Sequence, residues 1–284
     1  MNRRIFALLA AALLVLSVSG CTEKAAVQAQ TDLLATTQPV YQLANALTDG
    51  TGLTVSLLIS EPVSCLHDYT LTVSQMEKIE NAKLVLESGL GLEDFMADAL
   101  SGKVRIVVSS TLPTLEGDEG IDPHWWLDPT RFRAAAKLTA QELGSQYPEF
   151  TDQIAENFAA FDEKLEALQS YGDEALKNLS CRELVTFHDG FSYFADSFGL
   201  TIAAAMEVES GSEPSAKELE QIVSIVEKAK IPAVFTEANG ETGSAQVVAN
   251  ETGCKVYTLD MAISNADYFA AMRENINTIK EALG

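Results

Sequence analysis

Three histidines occur in 284 residues, and each sits where a side chain can be offered to a shared site. His124 lies in Ile121-Asp122-Pro123-His124-Trp125-Trp126-Leu127-Asp128-Pro129, just before a helical pattern that begins at Thr130. Pro123 and Pro129 fix their own φ and hold the residues before them extended. The imidazole is thus presented from a stiff, non-helical segment, beside two tryptophans that can shield it from water. His67 and His188 each follow an apolar strand-like run and precede a helix. One such histidine would read as an ordinary solvated turn; the same placement three times argues for one site. Neutral imidazole is the commonest protein ligand for metals.

Two carboxylates share this placement. Glu237 closes the apolar run Ala233–Thr236, and Asp260 closes Val256–Leu259. In open parallel sheets, ligands gather beyond the carboxyl ends of strands. His67, His124 and His188 with Asp260 make a closed set of three imidazoles and one carboxylate, suited to Zn²⁺ at about 2.0–2.2 Å. Glu237 is the rival fourth ligand, or else an acceptor for an imidazole N–H. No CxxC spacing exists, which excludes a cysteine-rich zinc cluster. Were Asp260 not to bind, His67, His124 and His188 would leave an open position of the kind catalytic zinc sites keep, with Glu237 as a base. The chain has no HExxH helix to support that reading.

The elements that must position these residues alternate. Strands are expected over Leu33–Thr37, Leu53–Ile59, Leu84–Leu86 and Val104–Val108, with helices over Val40–Leu47, over Thr72–Asn81 and from Leu92. In the second of these helices Val73, Met76 and Ile79 share one face. The βα alternation implies a parallel sheet covered by helices. Two helices then follow Pro129. In the second, Phe150, Ile154, Phe158, Phe161, Leu165 and Leu168 form one stripe at helical period. The stripe predicts a long helix reaching toward Leu176 and Leu179, unless Tyr171-Gly172 breaks it into a hairpin. A second α/β unit runs through Leu184–Phe187, Ile202–Met206, Ala233–Thr236 and Val256–Leu259 and closes with a helix over Tyr268–Leu283. The fold class is therefore α/β: two parallel-sheet lobes joined by a long linker helix, with the site in the cleft between them. The boundaries are residues 1–20 for a leader, 21–30 for a tether, 31–147 for the first lobe, 148–180 for the linker helix and 181–284 for the second lobe.

The leader reads Met-Asn-Arg-Arg, an apolar run Ile5–Val18, then Ser19-Gly20-Cys21. A basic start, a short apolar core and small residues before the cut make a secretory signal peptide. The core is shorter than the ~20 residues that span a bilayer. The Val-Ser-Gly-Cys ending predicts cleavage before Cys21 and lipid on that cysteine, which holds the folded part to the membrane surface. The chain carries a formal charge of −22; removing the leader takes away Arg3 and Arg4 and no acid. Such a balance argues against nucleic acid as a partner and suits a surface exposed to water and cations. Cys65, Cys181 and Cys254 remain, an odd number, so at least one is unpaired within the chain.

Several segments together resemble the zinc/manganese solute-binding lipoproteins of bacterial ABC metal importers. They are Cys65-Leu66-His67-Asp68-Tyr69, the turn Ser88-Gly89-Leu90-Gly91-Leu92-Glu93, Asp122-Pro123-His124-Trp125-Trp126-Leu127-Asp128-Pro129, Phe187-His188-Asp189-Gly190-Phe191, Phe235-Thr236-Glu237 and Thr258-Leu259-Asp260. The resemblance covers roughly residues 31–284. It implies a monomeric, non-enzymatic, extracytoplasmic binding protein that captures Zn²⁺, or alternatively Mn²⁺, and delivers it to an ABC permease. It carries over His67, His124, His188 and Asp260 as the ligands. Zinc-specific members often place a histidine-rich loop before the second ligand. Here Leu115-Glu-Gly-Asp-Glu-Gly120 stands in that place and reads as a solvated acidic turn, with weak gathering of metal as the alternative.

Overall fold

The computed structural model describes residues 30–61, 69–117, 120–206, 214–238, 240–263 and 267–284. The leader, Cys21, Cys65 and His67 lie outside the described residues.

The first lobe contains β1 (Thr31–Ala35), α1 (Gln38–Thr48), β2 (Val55–Leu57), α2 (Val73–Asn81), β3 (Ala82–Glu87) and β4 (Arg105–Val107). A two-stranded antiparallel hairpin, β5 (Glu116–Gly117) and β6 (Gly120–Ile121), follows. Two helices come next, α3 (Pro129–Gln146) and α4 (Thr151–Leu176). The second lobe contains β7 (Glu183–Thr186), α5 (Ser192–Ser197), β8 (Thr201–Ala205), α6 (Ala216–Ala229), β9 (Ala233–Glu237), α7 (Gly243–Thr252), β10 (Lys255–Leu259) and α8 (Tyr268–Leu283).

Both main sheets are four-stranded and parallel, and they share one topology. The first runs β2-β1-β3-β4 and the second β8-β7-β9-β10. In each, the chain leaves the first and third strands in opposite directions. That opens a crevice at their carboxyl ends where ligands bind in such sheets.

Strand alternation divides the apolar residues between layers. Leu33 faces a core shared by the two lobes while Leu34 faces a separate core under α2. Leu184 and Phe235 face the shared core, and Val185 and Val234 face a third cluster under α6 and α7. The shared core continues without interruption from Leu43 and Trp126, through Phe132, Phe161, Leu165 and Leu168, to Phe194, Tyr268 and Ile276.

Helix α4 is the spine of that core. At 26 residues it is about 39 Å long. Near its start the Asn157 side-chain amide donates to the carbonyls of Leu47 and Asp49 in the first lobe. Near its end Gln169 exchanges hydrogen bonds with Ser197, and Tyr171 donates to Asn277, in the second lobe. The helix runs through Tyr171-Gly172 unbroken and ends at Leu176, short of Leu179. Gly172 is a notch: a Cβ there would lie 2.2 Å from Cε1 of Phe198, so the missing side chain lets that ring seat on the helix.

Two expectations fail. No regular helix begins at Leu92; turns surround a single 3₁₀ turn over Asp94–Met96. Gly89, Leu90 and Gly91 all have positive φ, and this curl turns Glu93 inward. The Glu93 carboxylate then plugs the first lobe's crevice. It accepts from the Thr36 hydroxyl after β1 (2.6 Å) and from the N–H groups of Ser88 (2.7 Å) and Gly89 (2.9 Å) after β3. In α2, Val73 and Met76 are exposed and only Ile79 of the expected face is buried. Gln75 takes the inward position instead, closing a capping box with Thr72 and donating to the Leu58 carbonyl and the Tyr69 hydroxyl.

Candidate metal centre

His124 belongs to the first lobe and His188 to the second, and their rings meet with centroids 5.2 Å apart. Each side chain is largely buried.

On the first-lobe side, the segment is built from its aromatics. Trp125 is fully buried and donates to Ser88 Oγ (3.0 Å). Trp126 packs edge-on to the His124 ring, centroids 5.3 Å apart. Of the two tryptophans expected to shield the imidazole, Trp126 is the one that lies against it. His124 caps a 3₁₀ turn over Trp125–Leu127. Asp128 then caps α3, accepting from the N–H groups of Thr130 and Arg131. Asp122, two residues before the histidine, accepts from the His124 backbone N–H, and its Oδ1 lies 2.8 Å from Nδ1 of the ring.

On the second-lobe side, His188 follows β7, and Glu237 ends β9 across the crevice. Nδ1 of His188 stands 3.7 Å from Glu237 Oε2, an electrostatic pairing longer than a hydrogen bond. Burial pushes the Glu237 carboxyl up to about 7; the charge of His124 lowers it and that of Asp260 raises it. Glu237 is thus within electrostatic reach of both. Asp260 follows β10 and is pinned by α8: its N–H donates to Asn275 Oδ1 (2.8 Å) and its carbonyl accepts from Asn275 Nδ2 (2.7 Å). Its Oδ1 accepts from the N–H of Ala262 (2.7 Å), a residue held at φ +56°.

Other contacts fix the lobes across this cleft. The Trp126 indole donates to the Met261 carbonyl and the Tyr268 hydroxyl donates to the Trp126 carbonyl, both at 2.8 Å. The Arg131 guanidinium pairs with Asp128 and, at 2.8 Å, with Asp196, and lies over the Tyr193 ring. The Tyr193 hydroxyl accepts from the Leu115 N–H (3.0 Å). The acidic hairpin at Gly117 therefore sits close to Asp189, beside His188.

The structure thus brings together four of the five expected residues, His124, His188, Glu237 and Asp260; His67 lies outside the described residues. Among the described residues no three His, Cys, Asp or Glu side chains already form a finished metal cage. The donor set nevertheless fits a divalent transition metal: imidazoles are joined by carboxylates, and Asp122 Oδ2 and Glu237 Oε1 are buried with no hydrogen-bond partner among the described residues. Buried carboxyl oxygens without partners are costly, and a bound cation would satisfy them. Asp122 was not among the residues expected from sequence. Its signal was the Asp-x-His spacing, because an Asp side chain commonly accepts from the backbone two residues on. Cys181 and Cys254 are both free thiols.

Comparison with known proteins follows the same pattern. The model of the family described as zinc-uptake complex component A, periplasmic, matches residues 33–282. The zinc-binding lipoprotein AdcA of Streptococcus pneumoniae is 27% identical over 96% of this chain, and the match spans 60% of that longer protein. The high-affinity zinc uptake system protein ZnuA of Haemophilus ducreyi is 28% identical over 82% of this chain and 85% of its own. A crystal structure of a zinc-bound ZnuA deletion mutant superposes with a TM-score of 0.78 at 28% identity, covering 89% of this chain and 98% of that one. With two parallel-sheet lobes, a long helix behind them and a family match over nearly the whole folded part, the chain belongs to the periplasmic component A family of zinc-uptake complexes.

Proposed function

We propose that this chain is the extracytoplasmic receptor of a metal importer, capturing Zn²⁺ between its lobes and delivering it to an ABC permease. The observation that carries this is the meeting of His124 and His188 from opposite lobes, with Glu237 and Asp260 close by. His67, His124, His188 and Asp260 are the ligands, and Glu237 lies behind His188 as a charge partner. Three imidazoles with one carboxylate favour zinc over manganese on ligand softness, and the general affinity order of divalent metals points the same way. Zinc-binding relatives and a zinc-bound structural neighbour support that choice. Lipid on Cys21 holds the receptor, as a monomer, at the outer face of the cell membrane beside its permease.

The test is metal analysis of protein purified without chelator, then calorimetric titration with Zn²⁺ and Mn²⁺. One zinc per chain, bound more tightly than manganese and lost in His124→Ala and His188→Ala, is expected. Tighter manganese binding would overturn the metal assignment. A hydrolase reading predicts metal-dependent cleavage of ester, peptide or phosphate substrates; the receptor reading predicts none, with zinc uptake lost when the gene is deleted.

A further inference from the structure

Asp122 stands outside the proposed ligand set, yet its side chain, 1% exposed, is more deeply buried than that of Glu237. Its Oδ1 meets two groups of His124 at once, the backbone N–H and ring Nδ1, each at 2.8 Å. Its Oδ2 is buried with no hydrogen-bond partner among the described residues. Where that carboxylate oxygen accepts from the neutral ring as it does from the backbone N–H, Nδ1 carries the proton and Nε2 is left with the lone pair. The backbone bond fixes where the carboxylate can sit, and Pro123 between the two residues stiffens the turn. This is a costly arrangement: a buried carboxyl with one oxygen unsatisfied. The cost is offset when a cation arrives on the imidazole that the carboxylate holds.

We propose that Asp122 is a positioning residue for metal capture. It locks His124 in the Nδ1–H tautomer, presents Nε2 as the donor atom, and strengthens that donor through its negative charge. This rests on the receptor reading above and assigns a residue within it.

Long-range proton–nitrogen NMR of the wild-type histidines, recorded without metal and with one equivalent of Zn²⁺, tests the tautomer. A protonated Nδ1 at His124 in both states, with Nε2 alone shifting on addition of zinc, is expected. Zinc on Nδ1, or a proton on Nε2 in the metal-free protein, would overturn the role. Asp122→Asn keeps an oxygen for the backbone N–H but removes the charge. Its zinc affinity should fall about 10- to 100-fold, while the metal-free melting temperature stays level or rises. Unchanged affinity, or a loss matched by a lower metal-free melting temperature, contradicts the proposal; should the variant fail to fold, the wild-type spectra decide. A wild-type spectrum indifferent to Zn²⁺ would sink the receptor reading itself, an outcome distinct from a metal-bound Nδ1, which sinks only the role of Asp122.

Discussion

The indole N–H of Trp126 reaches across the lobe boundary to the carbonyl of Met261 at 2.8 Å. It ties the histidine turn of one lobe to the segment that follows Asp260 in the other. Trp126→Phe keeps an aromatic ring but leaves that buried carbonyl without its donor. The expected loss is about 1–3 kcal/mol of metal-free stability, read from urea unfolding. Faster zinc release in stopped-flow competition should accompany it, because the Asp260 segment loses its anchor.

Gly172 offers a test of sign. On helix propensity alone, Gly172→Ala in the interior of α4 should stabilise by up to about 1 kcal/mol. The new Cβ would lie 2.2 Å from the Phe198 ring, and overpacking of this kind costs about 1–3 kcal/mol. Net destabilisation is expected, relieved when Phe198 is shortened to Leu. A more stable Gly172→Ala would show that the ring has room to move.

Glu93 supplies a pH dependence away from the metal centre. Burial pushes its carboxyl up from 4.5 to about 7, although the bonds from Thr36, Gly89 and Ser88 act to lower it. The folded state therefore holds this proton more tightly than the unfolded state does. Its contribution to stability is fully present below about pH 4.5 and is lost as pH rises through about 7. In chelator, the advantage of wild type over Glu93→Gln should shrink between pH 5 and pH 8, as measured by urea midpoints. An advantage that grows with pH would show that the three donors win and the carboxylate stays ionised.

His188→Glu replaces a neutral nitrogen with a second anionic oxygen. The preference for zinc over manganese should narrow without needing to reverse, because the intrinsic order still favours zinc. Isothermal titration of both metals into both proteins gives the ratio, and an unchanged ratio would remove His188 from the ligand set. In the wild type, zinc affinity should fall on acidification, because protons compete with the metal for the imidazoles.

Much of this was legible in the sequence because strand ends announce themselves. The apolar runs before His188, Glu237 and Asp260 became β7, β9 and β10, and the stripe from Ile154 to Leu168 became α4. What escaped was decided by polar contacts that periodicity does not report. Glu93 turned inward to three donors and forestalled a helix at Leu92. Gln75 displaced Val73 and Met76 from the buried face of α2. Asp122 found its partner only two residues away, at a range where a proline-flanked turn, rather than a strand or helix, sets the geometry.

The shared core makes the two lobes one thermodynamic object. Parted, the lobes would bare the apolar faces that now meet along Phe132, Phe161 and Leu168, although each keeps a smaller cluster of its own under its outer helices. Calorimetry should show a single endotherm, moved upward as a whole when cargo binds. With the core continuous across the lobes, metal binding is expected to leave them in place, so that metal-free and metal-loaded scattering curves nearly superimpose. Any change on binding is then expected at the rim of the cleft, in the short segments after the strands.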